Sequence, residues 1–320
     1  MVTGDDRAAY LQGLLTNDIE ALGRGEGCYA AYLTPQGRML ADMTVLCLED
    51  GILLDVDASV TSLLRERFEE FIFTEDVAVD DRSDSWTSVG VHGPTAAALL
   101  ATVFDLEQGA FDALAEHATL PARLGGVEVV VAGSRALGVA GFTVYAGTAS
   151  GSALLERLRQ EGAARLSADE AEALRIEAGR PAFPADLGSD VIPLEAGIED
   201  RAISMTKGCY VGQEVIVRIL HRGGGRVARQ LVGLVFDGDE GTVEAGTELV
   251  ADVSEPGDDA VGAVTSAARS PGSGSVIGLG YVKRELGEAG TRLRTAGDGG
   301  RVARVASLPL TGPVGSPASG

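Results

Sequence analysis

Residues 207–214 read Lys207-Gly208-Cys209-Tyr210-Val211-Gly212-Gln213-Glu214. A cysteine two residues after a lysine, bracketed by glycines, is an unusual local design. The glycines reach backbone conformations closed to other residues and allow close approach of another group. A nearby ammonium favours thiolate over thiol, and residues two apart in an extended segment point to the same side. Lysine is scarce in this chain: Lys207 and Lys283 are the only two, and arginine supplies the other basic charge. Cys209 is therefore the candidate functional thiol and Lys207 the group expected to tune it. The competing reading is a structural cysteine in a glycine-rich turn.

Upstream, Ser167-Ala168-Asp169-Glu170 is a capping box that starts a helix ending near Gly179, before Pro181. Glu177 falls in its last turn, where the helix dipole disfavours an anion, so this carboxylate is a candidate for another task. Downstream, Arg218 and the run His221-Arg222-Gly223-Gly224-Gly225-Arg226 form a local basic patch. Arg222 and Arg226 read as a solvated hairpin, and Arg218 as a group for ligand carboxylates or for an acidic partner. After Arg229 the texture changes to short β runs at Leu231–Phe236, Thr247–Val250, Val261–Ser266, Val276–Val282 and Val302–Ser307. Turn-rich stretches separate them, which predicts an all-β barrel over 229–310 and a disordered Gly/Pro/Ser tail over 311–320.

The first 228 residues read as a mixed body of two subdomains. A helix over Arg7–Leu15, capped by Asp5 or Asp6, precedes a hairpin of Cys28–Leu33 and Arg38–Leu48 around Thr34-Pro35-Gln36-Gly37. Strands at Ile52–Val56, Val77–Val79, Thr87–Val91, Val127–Ala132 and Gly141–Ala146 interleave with helices at Ala58–Phe71, Gly93–Val103 and Ala153–Gln160. Hairpin-linked strands among helices predict an α+β fold with antiparallel sheets. On the second hairpin strand, Leu40, Asp42, Thr44, Leu46 and Leu48 share a face, and Asp42 interrupts a largely apolar row. It is a candidate ligand-contacting carboxylate, weighed against a solvated strand acid.

The formal charge of −21, from 26 basic and 47 acidic residues, argues against binding nucleic acid through a bulk field. Three isolated cysteines, Cys28, Cys47 and Cys209, argue against a disulfide framework and against a self-held zinc or iron–sulfur site. No apolar run reaches membrane-spanning length and no signal pattern opens the chain, so a cytoplasmic location is expected. Cys28 and Cys47 lie in apolar strand patterns and read as core. No glycine-rich nucleotide loop follows a strand.

The segment 207–214 resembles the signature of the YgfZ family of folate-binding proteins, relatives of the glycine-cleavage aminomethyltransferase (T-protein). Leu11-Gln12-Gly13-Leu14-Leu15-Thr16-Asn17-Asp18, Leu33-Thr34-Pro35-Gln36-Gly37-Arg38, Arg175-Ile176-Glu177-Ala178-Gly179-Arg180-Pro181, Ile192-Pro193-Leu194-Glu195 and Val261-Gly262-Ala263-Val264-Thr265-Ser266 resemble family segments in the same order. Relatives carry an additional stretch before the equivalent of Val2-Thr3-Gly4, so the expectation is that the first strand is missing here or that the start codon is misassigned. The resemblance implies a T-protein-like folate-binding body followed by a barrel, tetrahydrofolate as ligand, and iron–sulfur client enzymes or assembly proteins as partners. It implies that Glu177 meets the pterin ring. The family's aspartate pair reads Ala41-Asp42 here, which keeps one folate-contacting member and weakens the transferase reading. The rival functions are a true aminomethyltransferase and a non-enzymatic scaffold.

Overall fold

A computed structural model of the chain describes residues 1–222, 224–238, 241–252, 259–297 and 300–310; the tail expected over 311–320 lies outside the described residues. The chain forms two units. The first comprises Met1–Arg135, Val139–Arg165 and Ile198–Val215, and the second Ala136–Gly138, Leu166–Gly197 and the chain from Ile216 onward.

The first unit holds two antiparallel sheets. One is built from β1 (Val2–Thr3), β2 (Gly27–Leu33), β3 (Met39–Cys47), β4 (Ile52–Asp55) and β5 (Ala78–Val79), in the order β2-β3-β4-β1-β5. The other contains β6 (Trp86–His92), β7 (Thr119–Leu124), β8 (Val127–Ser134) and β9 (Gly141–Gly147), in the order β6-β9-β8-β7. A strand is thus present at Val2–Thr3. The expected hairpin forms, and Gly37 takes a φ of +75°, which glycine reaches without strain. The fully buried face of β3 is Met39, Ala41, Met43 and Val45. Leu40, Asp42 and Thr44 form the opposite, half-buried row, so Asp42 departs from the expected apolar face and looks onto a semi-open side.

Helices α1 (Arg7–Leu14), α2 (Thr61–Glu69), α3 (Ala96–Phe104), α4 (Gln108–Asp112) and α5 (Thr148–Gln160) accompany the sheets. The helix expected over Ala58–Phe71 begins as a 3-10 turn at Ala58–Val60 and stops at Glu69. Asp6 occupies the N-cap of α1 but accepts from Asp76 N instead of from the helix, at 2.8 Å. The competing backbone donor takes its carboxylate. Leu100, Val131, Val144 and Leu154 are fully buried between α3, α5 and the second sheet. Each such residue contributes about 1.5–3 kcal/mol. Phe111 and Phe142 meet edge to face at 5.6 Å.

The second unit is organised by α6 (Ala168–Glu177) and a closed antiparallel barrel. The capping box at Ser167 and Glu170 forms as the sequence predicts. The barrel strands are β10 (Arg229–Phe236), β11 (Glu248–Ala251), β12 (Gly262–Arg269), β13 (Val276–Lys283), β14 (Arg292–Thr295) and β15 (Val302–Ala306), ordered β10-β13-β12-β11-β14-β15. Leu234, Leu249, Val264, Val282, Leu293 and Ala303 fill the interior at 0% exposure. Ile176 of α6 packs on Ile277 and Leu279 of β13, which is why Leu166–Gly197 folds with the barrel that follows it in sequence.

Beneath α6, Asp186 is fully buried and held by five protein donors. Arg175 Nη1 donates at 2.6 Å, Ala182 N at 3.0 Å and Ser266 Oγ at 2.7 Å, and the Thr265 hydroxyl donates as well. Tyr281 Oη donates to the Asp186 carbonyl at 2.9 Å. Successive side chains of a regular strand point to opposite faces. A register shift between Val264 and Ser266 lets Thr265 and Ser266 face the same carboxylate. The remaining helices are α7 (Glu199–Ala202), which lies beside β2 in the first unit, and α8 (Gln213–Arg222). The hairpin expected around His221 and Arg222 is instead the end of α8; Gly223 and the Arg222 side chain lie outside the described residues.

Removing one member of a buried pair leaves the other charge uncompensated, at a cost of about 3–5 kcal/mol. Asp186→Asn is therefore expected to lower the unfolding free energy read from denaturant titration by that much, while the exposed pair Arg123–Glu128 can be broken with less than about 1 kcal/mol lost.

Candidate functional site

Helix α1 ends at Leu14 with no basic residue in its last turn. Its terminal carbonyls need donors, and the dipole there favours a cation. Lys207 supplies both from far along the chain. Its Nζ donates to Gln12 O at 2.7 Å, Leu15 O at 2.6 Å and Asn17 O at 2.8 Å. Three N–H groups meet three carbonyls, and the ammonium lies 5.3 Å from the centroid of the buried Tyr210 ring. Burial pulls Lys207 down to about 8, with Asp18 acting in the opposite sense. Gly212 has a φ of +83°, and a Cβ there would sit 2.5 Å from Thr34 O, against the β2–β3 turn. Only glycine fits. The segments around 11–18, 33–38 and 207–214 are thereby brought together. Cys209 and Met205 are solvent-exposed on this loop. Burial pushes the Cys28 thiol up to about 12 despite Lys207, and Cys28 and Cys47 are each half-buried.

The loop leads on to Asp42. Asn17, whose carbonyl Lys207 binds, donates from Nδ2 to Tyr29 O at 2.9 Å and to Arg201 O at 3.0 Å. The Arg201 guanidinium lies 5.0 Å from the centroid of the Tyr29 ring. Tyr29 Oη donates to Asp42 Oδ2 at 2.6 Å. Burial raises the Asp42 carboxyl above its ordinary value; the Tyr29 bond and Arg201 oppose that rise, and Asp57 adds to it. Tyr29 and Arg201 were not singled out in the sequence. The pairing of Ala31 with Asp42 puts Tyr29 on the same face as Asp42, a signal that counting register from the turn would have given.

Glu177 ends α6 in the second unit. Ser270, almost fully buried in the β12–β13 turn, donates its hydroxyl to Glu177 Oε1 and accepts from Ser273 N at 2.9 Å. The Glu177 carbonyl accepts from Leu310 N at 2.7 Å. A carboxylate placed against its helix dipole is thus fixed by a barrel loop 93 residues away, and no local pattern announces Ser270. Arg218 is exposed on α8. Among the described residues no group of three or more His, Cys, Asp and Glu side chains could hold a metal, and no helix is long and apolar enough to cross a membrane. An open cleft in the first unit, lined by Asp55, Tyr145, Trp86 and Phe68, contains none of the residues singled out in the sequence.

A mixed body followed by a closed six-stranded barrel is an aminomethyltransferase-like architecture. Residues 1–207 match the family model described as the GCVT N-terminal domain, and residues 229–311 match the glycine cleavage T-protein C-terminal barrel domain. An aminomethyltransferase of Rubrobacter xylanophilus is 31% identical over 88% of this chain and 73% of its own length. A putative chloroplastic transferase of Arabidopsis thaliana is 27% identical over 93% and 66%. The crystal structure of the glycine cleavage system aminomethyltransferase T from Bartonella henselae superposes with a TM-score of 0.82 at 22% identity, covering 97% of this chain and 82% of that one. The chain belongs to the glycine cleavage T-protein family.

A desolvated carboxylate weakens the fold that holds it. Because the folded Asp42 carboxyl is raised, its unfavourable contribution is absent at low pH and grows as pH rises through the interval above the ordinary carboxylate value. Asp42→Asn is expected to stabilise the protein at neutral pH by about 0.5–2 kcal/mol and to lose that gain as pH falls. Thermal melts of both proteins between acid and neutral pH check this.

Proposed function

We propose that this protein binds tetrahydrofolate and is an accessory factor of the YgfZ type, supporting the synthesis or repair of iron–sulfur enzymes. Membership of the T-protein family supports a folate-related role. The observation that carries the reading is the Lys-Gly-Cys loop: Cys209 is exposed on a loop pinned at both ends, which suits a thiol that meets a macromolecular client. Asp42 and Glu177 are assigned to the folate, Glu177 as acceptor for paired N–H groups of the pterin. Arg218 is assigned to the glutamyl carboxylates. The partners are iron–sulfur client enzymes or assembly proteins in the cytoplasm, without nucleic acid or membrane.

The second reading is a folate-dependent aminomethyltransferase, favoured by the names of relatives such as the Rubrobacter xylanophilus protein. Ala41 in place of the first aspartate of the family pair counts against it. A glycine-cleavage assay separates the two. A scaffold without folate is the third reading, and a titration with tetrahydrofolate excludes or establishes it.

Anaerobic calorimetry is expected to show tetrahydrofolate binding, weakened by about 1.5–3 kcal/mol in Glu177→Ala. Unchanged affinity would remove Glu177 from the site. Cys209→Ser is expected to retain folate binding and to fail to support iron–sulfur enzymes in a deletion strain. Full complementation by that variant would make the thiol structural. Iron and sulfide analysis of the anaerobically purified protein is expected to find no stoichiometric cluster, since three separated thiols fall short of the usual four.

A further inference from the structure

Lys207 makes a set of contacts besides its position beside Cys209. All three of its N–H groups are directed at the carbonyls of Gln12, Leu15 and Asn17. A neutral amine has only two N–H donors, so the cage holds the ammonium. From Asn17 a continuous path runs to the folate-assigned carboxylate. The Asn17 side chain ties the backbones of Tyr29 and Arg201 together, the Arg201 guanidinium packs on the Tyr29 ring, and the Tyr29 hydroxyl binds Asp42. Thr16, fully buried, reinforces the same junction. Its hydroxyl donates to Ala202 O at 2.6 Å and accepts from Ala31 N at 2.8 Å.

We infer that Lys207 is a positioning residue for the ligand site at Asp42, acting through Asn17, Tyr29 and Arg201, and is not a modulator of the Cys209 thiol. This rests on the folate reading of Asp42. The cage also accounts for an oddity of composition. In a chain with 24 arginines and two lysines, this position keeps lysine. Three carbonyls converging on one nitrogen suit a compact tetrahedral ammonium. A planar guanidinium spreads its donors in a fork and cannot place three N–H groups on that point.

The test separates geometry from charge. Lys207→Arg keeps the positive charge and Lys207→Met removes it. Both are expected to raise the tetrahydrofolate Kd at least tenfold, measured by anaerobic calorimetry well below the melting temperature. The rate at which Cys209 reacts with a thiol probe, read in a Cys28→Ala/Cys47→Ala background, is expected to stay within twofold in both. In an Asp42→Ala background, Lys207→Met is expected to change the Kd less than twofold, because the group through which it acts is gone. Should the cage variants fold poorly, Asn17→Ser removes the side-chain link to Tyr29 and Arg201, with the local bond from Asp18 N, while keeping the Asn17 carbonyl, and is expected to weaken binding three- to tenfold. Wild-type affinity in Lys207→Arg, or independent multiplication of the Lys207 and Asp42 effects, would overturn the inference while leaving the folate reading intact. Absence of tetrahydrofolate binding by the unaltered protein would overturn the folate reading and this inference with it.

Discussion

The ammonium of Lys207 at the end of α1 is the constraint on which the first unit depends. Left alone, that helix end would present unpaired carbonyls inside the fold, each costing about 1–3 kcal/mol. One side chain satisfies three carbonyls at once, and it does so across 190 residues of sequence. Because the third carbonyl belongs to Asn17, the same contact fixes the loop that carries Thr16 and Asn17. That loop in turn sets the spacing between β2 and the segment at Arg201 and Ala202. The arrangement around Asp42 follows from a hydrogen-bond network whose origin is a helix terminus.

The second unit solves a different problem with comparable means. The Arg175–Asp186 pair is buried, and burial of two charges is compensated only when every donor and acceptor is used. Here the strand irregularity at Thr265 supplies the extra hydroxyl, and Arg175 also binds Glu172 and the Arg180 carbonyl. The network anchors the last turn of α6, which is where Glu177 must be held. In both units a carboxylate singled out in the sequence is placed by a polar network several residues deep, and the partners that orient it, Tyr29 and Ser270, are hydroxyls.

Local patterns made much of this legible. The hairpin at Thr34–Gly37, the capping box at Ser167 and five of the six barrel strands follow from turn chemistry and alternation, which act over a few residues. Strand β14 escaped because Arg292 and Arg294 flank the lone buried Leu293, so the apolar signal is one residue wide. Helix α8 escaped because Val215, Ile216, Val217 and Ile219 favour strand by propensity, and tertiary context overrides that preference. The candidate residues themselves were visible as oddities: a carboxylate in an apolar strand, an anion at a helix C-terminus, a rare lysine. Their partners were not, since Ser270 lies 93 residues from Glu177 and Asn17 lies 190 from Lys207. No periodicity reports a contact of that separation.

The interleaving of the two units along the chain has a consequence for how the protein is made. Both sheets of the first unit are complete by Gly147, yet the unit also needs Ile198–Val215, and Leu166–Gly197 belongs to the barrel side. During synthesis the α1 carbonyls wait for a lysine that leaves the ribosome 190 residues after Asn17. At roughly 5–20 residues per second that is on the order of ten to forty seconds. Over the last part of that interval, from Gly147 to Lys207, the nascent chain carries two finished sheets without their staple, and then α6 without the barrel that covers it. The order of translation therefore imposes a period of partial structure, in which the helix end at α1 stays exposed until Lys207 arrives.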